Sequence, residues 1–71
     1  MSEKWPSSKP ARVLKALLKI GWKIKSQSGS HKQLERAGWA DHTFAWHDSD
    51  EIGPVAMKKI GKKTGLKLED L

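Results

Sequence analysis

The sequence predicts an α+β domain of order α-β-β-β-α, with two helices on one face of a three-stranded antiparallel sheet. Three observations predict it. Apolar residues recur with the 3.6-residue period of a helix on either side of the middle of the chain. Between those runs the period falls to two, and the connections there are too short for parallel crossovers. A chain of 71 residues holds one domain with a small core. Residues 1–8 are expected to form a flexible leader and residues 9–71 the domain.

The first helix is expected over about residues 9–20. Val13, Leu17 and Ile20 share one side, Leu14 and Leu18 lie beside them, and Lys15 and Lys19 stand opposite. Pro10 suits a first helical turn and Gly21 a helix end. Trp22, Ile24 and Ser26 then alternate with Lys23, Lys25 and Gln27 as a strand does. Ser28-Gly29-Ser30 reads as a turn, Ser30 to Arg36 as a second strand, and Ala37–Asp41 as a loop. The third strand, His42 to His47, puts Phe44 and Trp46 on one face. Asp48-Ser49-Asp50-Glu51 has the composition of a helix cap. Gly53-Pro54 opens a second helix through about Thr64, with Ala56 and Ile60 inward, and Gly65 stops it.

Charge and missing residue types narrow the function. Fourteen Lys and Arg against eight Asp and Glu give a formal net charge of +6, which favours a polyanionic partner. Cysteine is absent, so disulfides, thiolate metal sites and cysteine nucleophiles are excluded together. No apolar run approaches the ~20 residues that cross a bilayer, and MSEKWPSS has no signal-peptide core. A cytoplasmic protein is the expectation.

His31 is the candidate for chemistry. Histidine can give or take a proton near neutral pH, and a turn by itself does not need one. Leu34 faces the helices and lies three residues on, so alternation sends His31 to the open face, with Gln33, Glu35, Ala45 and His47. His47 is an auxiliary candidate. No metal site is expected, because His42 and His47 lie five apart and no cysteine completes a set. The densest positive patch is Lys58, Lys59, Lys62 and Lys63, whose simplest reading is a solvated helix face. Trp22 and Trp46 fit core-facing strand positions, whereas Trp39 sits in a loop where a base can stack.

Taken together, these pieces resemble the HicA family of toxin ribonucleases. The resemblance runs through Leu17-Leu18-Lys19-Ile20-Gly21-Trp22, Gly29-Ser30-His31, His47 with Asp50-Glu51-Ile52-Gly53, Lys59-Ile60 and Thr64-Gly65-Leu66, over about residues 9–71. The chain departs from the family pattern at Phe44-Ala45-Trp46-His47. The resemblance implies a fold like the double-stranded-RNA-binding domain and metal-independent cleavage of mRNA without a cofactor. It makes His31 the essential histidine and a HicB-type antitoxin the partner. The expected RNA contacts are Lys25, Ser30, Lys32, Lys59, Lys62 and Lys63. Two rival readings keep the same fold: a non-catalytic double-stranded-RNA-binding module, and a protein-interaction module that never touches RNA.

Overall fold

The computed structural model describes residues 4–71. Its elements are α1 (Pro10–Lys19), β1 (Lys23–Ser28), β2 (His31–Glu35), β3 (His42–Ala45) and α2 (Pro54–Thr64), followed by a 3₁₀ turn at Leu68–Asp70. The three strands form one antiparallel sheet in the order β1-β2-β3. The order and sheet are those the sequence predicts.

α1 starts at Pro10, whose missing N–H costs nothing in a first turn, and it ends before Gly21 at a φ of +110°. Val13, Ala16 and Leu17 are buried on it, while Leu18 stays on the solvent side. The inward stripe is therefore narrower than the run of leucines suggests. α2 starts at Pro54 behind Gly53, and no side chain caps it. The expected acidic cap does something else. Asp50 Oδ2 accepts the His47 N–H at 2.9 Å and the Asp50 N–H donates to the His47 carbonyl at 3.0 Å, closing a turn before the helix. Met57, Ile60, Gly61 and Thr64 form the buried side of α2, an i, i+3, i+4, i+7 stripe. Ala56 is only half-buried and Val55 is 72% exposed, so the inward face centres on Met57 rather than Ala56.

A single core joins these elements: Val13, Leu17, Trp22, Leu34, Phe44, Ile52, Met57, Ile60 and Leu66 pack together. Trp22 lies 1% exposed just before β1, and its indole N–H donates to the Thr64 carbonyl at 3.1 Å, tying the end of α2 to the sheet. The strand after it departs from expectation. Ile24 pairs with Leu34, but Ser26 pairs with Gln33, leaving Lys25 as an extra residue in a bulge. One inserted residue inverts the side-chain phase. Ser26 and Ser28 therefore join the open face rather than sharing a side with Trp22 and Ile24. All six β1 residues are exposed, Ile24 among them. β3 ends at Ala45, two residues earlier than expected.

Residues 1–3 of the expected leader lie outside the described residues, and of residues 4–8 Trp5 and Ser8 pack against the domain. Ser8 and Ile52 exchange two backbone hydrogen bonds, at 3.0 and 2.9 Å, and Ser8 is buried. Trp5 lies in the notch left by Gly61, where an added Cβ would stand 2.7 Å from the Trp5 ring and 2.9 Å from the Leu66 carbonyl oxygen. The carbonyl belongs to the backbone and cannot swing aside. Gly61→Ala is therefore expected to lower stability by about 1–3 kcal/mol, an overpacking cost, read as an earlier urea midpoint with an unchanged slope.

Candidate active site

The site begins with a turn. Ser28 pairs with His31, leaving a two-residue loop of Gly29 and Ser30. Gly29 has a φ of +59°, and no residue other than glycine has a positive φ among the described residues. A left-handed first position followed by an ordinary second one is the pattern of a type II′ hairpin turn, whose twist suits the flanking strands. Nothing lies within 4 Å of a Cβ built on Gly29, so backbone sign rather than space requires glycine there.

This turn makes His31 the first residue of the central strand. Its neighbours across the sheet are Ser28 on β1 and Ala45 on β3. Both are small, and the His31 side chain is exposed. The next row of the open face is Ser26, Gln33 and Thr43, where the Thr43 hydroxyl donates to Gln33 Oε1 at 2.8 Å. The row beyond carries Lys23 beside Glu35. Lys25 reaches Asp41, with Nζ 3.1 Å from Oδ2, the one ion pair among the described residues. Its ammonium is held protonated above the usual lysine range, first by that hydrogen bond, then by the charges of Asp41 and Glu35. The open face thus balances two lysines against two acids at the end away from His31.

The other expected contacts divide between regions. Ser30 and Lys32 flank His31 in the chain, but Lys32 pairs with Gln27 and Phe44 and points with them to the helix side of the sheet. His47 follows β3 and joins Ser30 and Lys32 around a shallow depression at the hairpin tip. Lys59, Lys62 and Lys63 are exposed on α2, in the layer covering the sheet face opposite His31. The structure therefore brings Ser30, Lys32 and His47 together near the tip and leaves the α2 lysines and Lys25 apart from them. Among the described residues no three His, Cys, Asp or Glu side chains group as metal ligands do.

Trp39 is 41% exposed, yet it is already engaged. The Arg36 guanidinium lies 5.2 Å from its ring centroid, Trp22 meets it edge-on at 6.2 Å, and its ring edge lies 2.7 Å from where a Gly65 Cβ would stand. Its loop position alone carried no sign of these partners. Sequence reasoning also missed Trp46 as a wall of the depression. Alternation assigned it to the core, and it does pack there, but only in part.

His42 is half-buried and meets Trp22 edge-on at 6.3 Å. Burial, and then the charge of Lys63, lower its pKa below the ordinary value near 6.5. As pH falls through 6.5, the unfolded chain takes a proton that the folded chain resists. Folding stability contributed here is intact above that pH and declines below it. Urea unfolding at pH 7.5 and 5.5 should show a smaller loss for His42→Gln than for the parent.

The sequence profile of the family described as HicA toxin of bacterial toxin-antitoxin matches residues 11–66. The chain belongs to the HicA toxin family. The match takes in all three strands, the Gly29-Ser30-His31 turn and the whole of α2. No curated protein and no solved structure gives a significant match. A HicA toxin belongs to a toxin–antitoxin pair, so an antitoxin is its class of partner. No helix among the described residues of this HicA chain is long and apolar enough to cross a membrane.

Proposed function

We propose that this HicA chain is a metal-independent endoribonuclease that cleaves mRNA in the cytoplasm and is held inactive by a HicB-type antitoxin. The observation that carries this reading is the His31 ring, exposed on the open sheet face between Ser28 and Ala45, where neither neighbour shields it from a large substrate. In the reaction, a ribose 2′-oxygen attacks the adjacent phosphorus and forms the P–O2′ bond. The P–O5′ bond breaks, leaving a 2′,3′-cyclic phosphate and a 5′-hydroxyl. His31 takes the 2′-hydroxyl proton as general base, or delivers one to the leaving oxygen as general acid. Ser30 stabilises charge on the phosphate from the adjoining turn, with His47 as auxiliary, while Lys32, on the other face of β2, holds a neighbouring phosphate. The nucleophile belongs to RNA, so DNA is not a substrate.

Lys59, Lys62 and Lys63 contribute sequence-independent attraction for the polyanion, as does Lys25 when it exchanges Asp41 for a phosphate. One observation favours the rival, a non-catalytic double-stranded-RNA-binding module: the α2 lysines lie on the helix layer, away from His31. Incubating the protein with RNA in EDTA separates the two. Wild type is expected to release cyclic-phosphate ends and His31→Ala to release none. Intact RNA that still shifts on a gel supports the binder, and no shift at any salt supports the protein-interaction module.

A further inference from the structure

The depression at the hairpin tip holds about 300 Å³ and is built from chemically distinct walls. Gln27 comes from β1, Ser30 from the turn, Lys32 from β2, and Trp46, His47 and Asp48 from the segment after β3. The register explains the gathering. Gln27, Lys32 and Phe44 stand in one row facing the helix side, and Trp46 lies two residues past Phe44. Trp46 is half-buried, packed in part against the core. Lys32 has no carboxylate in salt-bridge range among the described residues. The depression thus offers an aromatic wall, an unpaired ammonium, a hydroxyl, an imidazole, an amide and a carboxylate, all beside the turn that carries His31.

We propose that this depression seats one nucleotide of the RNA next to the bond on which His31 acts; the assignment rests on the nuclease reading above. Trp46 stacks against the base, an interaction open to every base. Lys32 and the Ser30 hydroxyl hold its phosphate. Asp48 repels phosphate and, once ionised, only accepts hydrogen bonds, so it faces the base edge with Gln27. A carboxylate there favours a base with an exocyclic amino group, as cytosine has, over one presenting a carbonyl at that position, as uracil does. Ser30 and Lys32 are chain neighbours of His31, so a backbone held by them passes over the turn toward the imidazole.

The test uses His31→Ala protein, which keeps the depression and does not turn over. It is titrated with cytidine 3′-monophosphate and uridine 3′-monophosphate while the Trp46 indole and Gln27 amide resonances are followed. Both signals are expected to move saturably, with tighter binding of the cytidine nucleotide. Adding Trp46→Ala should weaken binding about tenfold, while Trp46→Phe should retain most of it. Lys32→Gln should weaken both nucleotides alike, and Asp48→Asn should erase the preference for cytidine; Lys32 is half-buried and Asp48 exposed, and neither belongs to the core. Trp46 and Gln27 signals that stay still, or Lys32→Gln and Asp48→Asn proteins that bind as the parent does, overturn the proposal. Failure of the nuclease reading shows itself separately, as RNA left intact by wild type.

Discussion

His31→Ala is expected to leave the fold unchanged and to slow RNA cleavage by about 10²–10⁴-fold, the usual contribution of a positioned acid–base group. The first half follows from its position. The ring is exposed and stands between Ser28 and Ala45, so removing it opens no cavity and breaks no hydrogen bond among the described residues. Surface changes of this kind stay within about 0.5 kcal/mol. The second half follows from chemistry, since no other titratable side chain shares the row Ser28, His31 and Ala45. Single-turnover cleavage with enzyme in excess measures the step directly, and urea unfolding of the same preparation checks the fold. A His31→Ala protein that cuts at the wild-type rate removes acid–base catalysis by this residue. Substrate with a single 2′-deoxy position should resist cleavage at that linkage alone.

The second large effect concerns stability. Trp22→Ala is expected to leave the chain mostly unfolded at 25 °C. Emptying a fully buried aromatic site costs about 3–5 kcal/mol. The Thr64 carbonyl also loses its indole donor, adding roughly 1–3 kcal/mol if water cannot reach it. Stability of about 0.05–0.15 kcal/mol per residue leaves a chain this short little to spare. Trp22→Phe retains most of the packing and loses the hydrogen bond, so it should fold with an earlier urea midpoint. Far-ultraviolet circular dichroism against urea reads both. A Trp22→Ala protein unfolding cooperatively near the wild-type midpoint contradicts the central place given to this side chain.

Several features could be read along the chain because their causes are local. Pro10 and Pro54 start helices because each has a fixed φ and lacks an N–H that a first turn does not use. Gly29 marks the hairpin because its φ of +59° is open chiefly to glycine. Alternation from Leu34 correctly sent His31 to the open face. Other features escaped for an equally physical reason. Nothing in Lys23–Ser28 marks Lys25 as the bulged residue, because a bulge depends on the opposite strand. Ala56 and Met57 both suit an inward helix position, and the sheet beneath α2 decides between them. Asp48-Ser49-Asp50-Glu51 has cap-forming residues, yet Asp50 finds the His47 N–H first.

The sequence by itself determined the order of elements, the hairpin turn and the side of the sheet from which His31 projects. These follow from φ preferences and side-chain periods, which act over a few residues. Only the tertiary structure decided that Trp39 meets Trp22 edge-on, that Lys25 is paired with Asp41, and that Trp5 lies against Gly61. It also decided that Lys25 is the bulged residue, which turns Ser26 and Ser28 to the open face. Such relations join residues far apart in sequence, or depend on strand pairing, and no local preference encodes them.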